Sequence, residues 1–286
     1  MGLYLGLANG DVPKDPYAFT PALARAWSER GVRCLAVGFR DVPQAETARA
    51  AVELRPLLTD HGIHISQYVG INAHLAHVDQ ARRADGIRRI REAVPAARAL
   101  DATMMQSGVG TNAVAGLGTS PAPPPPGEPH HHDAPHHYAP HPDNYSPAAR
   151  DGLVRALREV ATMMADEGMV FSLECHQLTT MRSARVIRDV LDEVDSPAVV
   201  ANFDPVNLLD SATAVYDNAA RMRAMADVLL PPDGVARLGP SCHVKDVVLR
   251  SGLVCHIDEE APGAGVLDLS VLLELAQRLP TGRREG

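Results

Sequence analysis

Residues 169–207 read MVFSLECHQLTTMRSARVIRDVLDEVDSPAVVANFDPVN, and this stretch decides the fold. An apolar run at 169–174 is followed by a helical pattern at 183–194 and by a second apolar run at 198–204. Both apolar runs are short and nearly unbroken, as expected of strands that are buried on both faces of a parallel sheet. The stretch therefore predicts one β/α/β unit of a parallel α/β fold.

The same alternation extends along the rest of the chain. Further strands are predicted at 3–8, 33–38, 63–69, 103–107 and 236–244. Further helices are predicted at 20–30, 43–60, 78–100, 146–167, 214–229 and 269–279. The pattern gives seven β/α units, which we assign to a single domain spanning 1–286. Periodicity leaves an open doubly wound sheet and a closed barrel as alternatives, although no GxGxxG dinucleotide fingerprint follows the first strand.

One segment, 108–140, interrupts the alternation of strands and helices because it is rich in proline, glycine and histidine. Loops of this length inside a compact domain are uncommon and are usually functional or disordered. We interpret the segment as a flexible loop insertion after the fourth strand. Its histidines at 130–132, 136 and 137 are interpreted as part of a low-complexity stretch in which metal affinity is incidental.

Composition and charge exclude several classes of protein. The chain has 27 basic and 35 acidic residues and a net charge of -8, which counts against a nucleic-acid partner. No run of 18 or more apolar residues is present, so no membrane span is predicted. The four cysteines form no CxxC pair, which indicates a reducing, cytoplasmic location.

Polar residues follow three successive predicted strands at the point where each strand ends. They are Glu174, Asp204 and His243. Taken singly, each has a simpler explanation: an ion pair, a turn cap or a hydrogen-bonded core histidine. In a parallel barrel, however, the carboxyl ends of the strands converge on one mouth. Two carboxylates and an imidazole at that mouth predict a divalent metal site for Mn²⁺, Co²⁺, Zn²⁺ or Mg²⁺.

Several motifs together resemble a known family. LECH at 173–176, NFDPVN at 202–207 and CHVKD at 242–246 resemble the xylose-isomerase-like TIM barrels, the sugar phosphate isomerases/epimerases. HPDNYSPAARDGLVRALREVA at 141–161 and PGAGVLDL at 262–269 are similar to segments of the same family. The resemblance implies a TIM (β/α) barrel. It also implies a metal-dependent isomerase or epimerase that acts on a small keto-sugar, polyol or cyclitol through an enediolate-type proton transfer.

The resemblance also implies roles for individual residues. Proteins of this family hold their metal with Glu, Asp, His and Glu from strands five to eight, and the first three correspond to Glu174, Asp204 and His243. Glu174 is the expected general base, and Lys245 is expected to offset the charge of the enediolate. The expected substrate contacts are His141, His176, Asn207 and Asp246.

This sequence departs from the family pattern at its end. After the seventh predicted helix the chain reads LPTGRREG, so we expect a barrel that is incomplete at the eighth β/α unit and lacks the eighth-strand carboxylate. One alternative is therefore a non-catalytic, degenerate barrel. Another is an endonuclease of the related DNA-repair barrel family, which the acidic balance and the lack of histidines on the first strands disfavour.

The expected partners follow from the same observations. The partner of the active site is expected to be a small, sugar-like molecule. An open seventh strand would expose an unpaired edge, which leaves a homo-oligomer as a further expectation.

Overall fold

The computed structural model describes most of the chain. The described residues are 3–8, 11–39, 42–71, 73–112, 138–232, 234–251 and 255–280. The predicted insertion at 108–140 is therefore described only at its two ends, and the histidines at 130–132, 136 and 137 lie outside the described residues.

Seven parallel strands form one sheet. They are β1 (Leu5–Leu7), β2 (Val32–Val37), β3 (His64–Tyr68), β4 (Met104–Gly108), β5 (Val170–Glu174), β6 (Val199–Phe203) and β7 (Leu238–Cys242). Their order in the sheet is their order in the chain, and every neighbouring pair is parallel. The sheet curls into a half-barrel. The prediction of an incomplete TIM barrel is thus confirmed, because no eighth parallel strand joins β7 to β1 among the described residues.

Helices alternate with the strands. They are α1 (Pro21–Glu29), α2 (Gln44–Thr59), α3 (Gln80–Ala99), α4 (Pro147–Asp166), α5 (Ala184–Val194), α6 (Ala212–Tyr216), α7 (Asn218–Leu229) and α8 (Leu269–Ala276). The predicted helix at 214–229 is in fact two helices, because Asp217 takes a non-helical conformation between α6 and α7. Among the described residues, none of the helices combines the length and the apolar character needed to cross a bilayer.

Local sequence explains where several helices begin. Thr20, Ser146 and Ser183 each accept a hydrogen bond from the backbone N–H three residues later. Such caps satisfy N–H groups that have no partner inside the helix. Proline is the first residue of both α1 and α4, where its missing N–H costs nothing.

An antiparallel hairpin follows the seventh strand and was not predicted. It consists of β8 (Asp246–Ser251) and β9 (Cys255–Glu260), paired from Asp246 opposite Glu260 to Ser251 opposite Cys255. Val247 is buried in a small apolar cluster, and Leu249 and Ile257 pack against that cluster. The hairpin is a two-stranded sheet of its own, separate from the seven-stranded sheet.

A row of polar side chains crosses one face of the main sheet. Gln106 on β4 is paired in register with Ser172 on β5, and both are buried. Gln67 on β3 and Asn202 on β6 lie on the same face by strand alternation and are also buried. Closed barrels of this class usually fill their interior with bulky aliphatic residues. Here a polar layer, Gln67, Gln106, Ser172 and Asn202, lies below the carboxyl ends of the strands.

Candidate metal centre

Three predicted ligands come together at the carboxyl ends of β5, β6 and β7. Glu174 is the last residue of β5, and Asp204 and His243 directly follow β6 and β7. His243 Nδ1 lies 3.0 Å from Asp204 Oδ2 and 3.9 Å from Glu174 Oε1. One ligand atom from each residue lies within 4.8 Å of the others. We call Glu174, Asp204 and His243 the triad.

The triad has a buried floor and a more accessible side. The side chain of Asp204 is 1% exposed, whereas those of Glu174 and His243 are 20% and 22% exposed. Burial works to raise the pKa of Asp204, but the hydrogen bond with His243 and the charge of Lys245 outweigh it and hold that pKa below its usual value. Asp204 therefore stays ionised although it is buried.

Lys245 balances the negative charge of this cluster. Its Nζ donates to Asp204 Oδ2 at 2.9 Å and to Asn207 Oδ1 at 2.9 Å. Burial works to lower the pKa of Lys245, but the nearby carboxylates, Asp204 first, raise it overall. The other end of the Asn207 amide donates to the backbone carbonyl of Cys175 at 3.2 Å. Asn207 thus holds Lys245 against Asp204.

His176 stands beside the triad on the segment that follows β5. Its Nδ1 accepts the backbone N–H of Leu178 at 3.1 Å, so in the neutral ring the proton is on Nε2, which is a donor. Tyr138 stacks on the ring, with centroids 4.7 Å apart and planes 15° apart. Burial and the negative charge of Glu174 raise the pKa of the Tyr138 phenol. Sequence reasoning did not single out Tyr138, which ends the insertion and carries no motif.

His141 begins a short 3-10 helix, Pro142–Tyr145, and its Nδ1 accepts the backbone N–H of Asp143 at 3.1 Å. Asn144 in that helix is fully buried and was also missed. Its Oδ1 accepts the backbone N–H of Asn112 at 2.7 Å, and its Nδ2 donates to the carbonyl of Leu178 at 2.8 Å. The HPDNY motif is therefore anchored between the segments that follow β4 and β5.

Asp246 holds a turn of the backbone, and its contact with substrate stays a prediction. The residue is 1% exposed, and both carboxylate oxygens accept backbone hydrogen bonds. The donors are the N–H groups of Val247, Gly263, Gly265 and Leu267. Gly265 is required here because a Cβ at that position would collide with the Asp246 carboxylate. Asp246 thus fixes the PGAGVLDL turn.

Gln106 is a further residue of the site that sequence reasoning missed. Its Nε2 lies 3.4 Å from Glu174 Oε2 and 3.5 Å from His243 Nε2. The one available signal was a glutamine directly after the two methionines of a predicted strand, TMMQS at 103–107.

The donor set fits a divalent cation. Two carboxylates and an imidazole are ligands that suit cations of intermediate hardness. Binding there would displace protons, since an imidazole must lose a proton from the ligating nitrogen. Among the residues that the structure describes, the triad is the one group of three or more His, Cys, Asp or Glu side chains with this geometry.

Comparisons with known proteins agree with the fold. A model of the family described as xylose isomerase-like TIM barrel matches residues 24–280. A search of curated proteins gives no match.

Several solved structures have a similar fold. One similar structure is the 3-keto-D-glucoside 4-epimerase of E. coli in its apo form, with a TM-score of 0.62, 16% identity, and coverage of 95% of this chain and 86% of that one. Another is a D-allulose 3-epimerase from Methylomonas sp., with a TM-score of 0.60, 19% identity, and coverage of 97% and 82%. A third is a xylose isomerase-like TIM barrel protein from Mycobacterium smegmatis in complex with magnesium, with a TM-score of 0.56, 16% identity, and coverage of 94% and 80%.

Proposed function

The chain belongs to the xylose isomerase-like TIM barrel family, and on that premise we propose that it is a metal-dependent sugar isomerase or epimerase. The substrate class is a small keto-sugar, polyol or cyclitol. The observation that carries the proposal is the convergence of Glu174, Asp204 and His243 within 4.8 Å at the mouth of the half-barrel. Similar structures named as sugar epimerases support the class of reaction.

Glu174, Asp204 and His243 would hold the cation, and the candidates are Mn²⁺, Co²⁺, Zn²⁺ and Mg²⁺. When bound, the cation supplies Lewis-acid polarisation of neighbouring carbonyl and hydroxyl oxygens. The similar M. smegmatis protein was solved in complex with magnesium, which supports a divalent cation as the proposed cofactor.

The protein's own side chains would supply proton transfer, charge stabilisation and substrate binding. Glu174 would accept the proton from the carbon next to the carbonyl, in an enediolate-type transfer. Lys245, with its pKa raised, carries the positive charge that offsets the developing oxyanion. His176, on the segment after β5, and His141, at the start of the neighbouring 3-10 helix, are the proposed substrate contacts. Asn207 contributes by holding Lys245.

The partner we propose is therefore a small molecule rather than a nucleic acid. The net charge of -8 repels a phosphate backbone. Nucleases of the related barrel family use a larger set of ligands on nearly every strand. The described residues contain one group of three.

One observation favours a second candidate, a barrel that binds a sugar or metal without catalysis. The described sheet ends at β7, so no carboxylate from an eighth parallel strand faces the triad among the described residues. Such a protein would bind ligand but leave the proton next to the carbonyl in place.

Metal content and proton exchange test the proposal together. We expect the purified protein to bind one divalent ion per chain and to exchange the proton next to the carbonyl of at least one ketose in D₂O. Glu174→Gln and Asp204→Asn should each abolish both signals, because each removes a ligand. Glu53→Gln, an exposed carboxylate on α2, is the matched control and should keep both.

The outcomes separate the candidates. Metal binding without exchange on any sugar of a broad ketose panel would favour the non-catalytic barrel. Metal binding that survives in Glu174→Gln and Asp204→Asn would contradict the triad.

A further inference from the structure

Gln106, on the strand next to β5, contacts two residues of the triad. It lies on β4 and is 4% exposed. Its Nε2 is 3.4 Å from Glu174 Oε2, on β5, and 3.5 Å from His243 Nε2, beyond β7. One neutral amide therefore spans two of the predicted ligands.

The other atom of the same amide is not satisfied. Gln106 Oε1 is buried and has no hydrogen-bond partner among the described residues. Folded proteins rarely leave a buried acceptor in this state, because burying it without a partner is unfavourable. The Oε1 atom of Gln106 is thus an unused hydrogen-bond acceptor next to the triad.

His243 has one nitrogen on each side of the site. Nδ1 faces Asp204 and Glu174, and Nε2 faces Gln106. Where Asp204 is ionised and the ring is neutral, Nδ1–H donates to Asp204 Oδ2, and Nε2 is left as an acceptor that faces the Gln106 amide at 3.5 Å. Ligation of a cation by Nδ1 would require the opposite tautomer, with the proton on Nε2.

Rotation of the Gln106 amide would accommodate that change. Turning it about its last side-chain bond brings Oε1 to the place of Nε2, where it can accept from His243 Nε2–H. The same turn ends the contact between the amide N–H and Glu174, so the carboxylate is released for the cation.

We propose that Gln106 is a positioning residue of the metal centre that selects the tautomer of His243: its amide donates to the metal-free site and accepts from the metal-loaded one. This inference rests on the proposed metal site and adds to it a residue outside the ligand set. Ligating histidines almost always have such a partner on their second nitrogen, and its loss costs roughly 10–100-fold in metal affinity.

Metal affinity is the first test. Gln106→Leu keeps the size of the side chain and removes both the donor and the acceptor. We expect its affinity for Zn²⁺ and Co²⁺, measured by calorimetry, to fall by roughly 10–100-fold. Gln67→Leu is the matched control, because Gln67 is an equally buried glutamine on the neighbouring strand β3. Its affinity should stay at the wild-type value.

The tautomer of His243 is the second test, and a merely structural role for Gln106 would not change it. Long-range ¹H–¹⁵N spectra, recorded at a pH where the ring is neutral, should show Nδ1–H in the metal-free wild type and Nε2–H in the Zn²⁺-loaded wild type. Gln106→Glu offers only an acceptor. It should therefore shift the metal-free ring towards Nε2–H.

Each result bears on the proposal. Loss of metal binding in Glu174→Gln together with wild-type affinity in Gln106→Leu would overturn this inference and leave the proposed function standing. An Nδ1–H tautomer in the Zn²⁺-loaded wild type, or no shift in metal-free Gln106→Glu, would also overturn it. A wild-type protein that binds none of the cations would overturn the proposed function and this inference together.

Discussion

At the residue scale, the carboxylate of Asp246 accepts four backbone N–H groups from β8 and the turn that follows β9. Asp246→Asn replaces one acceptor oxygen with an NH₂ group that faces these donors. We expect the free energy of unfolding to fall by about 1–3 kcal/mol, measured by urea denaturation. Asp258→Asn on the same hairpin is the control, since its pair with Arg250 is exposed and worth about 0–1 kcal/mol. Equal losses in the two variants would contradict this role for Asp246.

Asp246 also makes the free energy of unfolding depend on pH in the acidic range. Burial works to raise the pKa of Asp246, but the backbone donors hold it below the ordinary value of 3.8. Because the pKa of Asp246 is lower in the folded protein than in the unfolded chain, its ionised carboxylate adds to the free energy of unfolding. This contribution is fully present above pH 3.8 and is lost as the pH falls through the pKa of the folded state. The stability difference between wild type and Asp246→Asn should therefore narrow below pH 3.8.

Some residues of the site could be predicted from the sequence and others could not. Glu174, Asp204 and His243 are charged or titratable residues that end apolar strands, which makes them visible to pattern reasoning. Gln106 and Tyr138 are not visible in this way. A neutral amide inside a strand and a tyrosine at the end of an insertion gain their meaning from neighbours that are distant in the sequence.

At the scale of single elements, the end of α5 contains a strained residue. Asp195 follows the helix with φ 51° and ψ 51°, a left-handed conformation that favours glycine. Asp195→Gly should raise the free energy of unfolding by about 0.5–1 kcal/mol, measured by thermal denaturation. Asp189→Gly inside α5 should lower it by a few tenths of a kcal/mol, because aspartate is itself a poor helix former and glycine is slightly worse. A loss of stability in Asp195→Gly would contradict the assignment of strain.

Element boundaries were predictable where capping residues mark them. The Ser or Thr caps of α1, α4 and α5 are visible in the sequence. The break at Asp217 and the β8–β9 hairpin were missed for different reasons. The apolar positions of 214–229 continue across the break, and the hairpin strands are not joined by a two-residue Asn-Gly or Asp-Gly turn.

At the scale of the whole molecule, the sheet has two edges. Among the described residues, β1 and β7 each pair with a strand on one side only. The residues Leu3, Tyr4 and Leu5 at the first edge are 49%, 68% and 56% exposed. The partial barrel was predictable because the motifs of the seven units could be counted along the chain. What lies beside its edges could not be derived from those motifs.

Unpaired edges of this kind promote association between chains. We therefore propose that the protein self-associates, and we expect its average mass in sedimentation experiments to rise with concentration. Leu5→Lys should shift that equilibrium towards the monomer, because a charge on an edge strand opposes pairing. Val52→Lys is the control, since Val52 is an exposed residue on α2, away from both edges. A protein that remains monomeric at all concentrations would contradict the expectation.

The polar layer of Gln67, Gln106, Ser172 and Asn202 has a thermodynamic consequence. Exposing apolar surface raises the heat capacity on unfolding, whereas exposing polar surface lowers it. A barrel with amides and a hydroxyl in place of aliphatic side chains therefore has a smaller heat-capacity change. Its free energy of unfolding varies less with temperature than that of an equally large barrel with an aliphatic interior, so its stability curve is flatter.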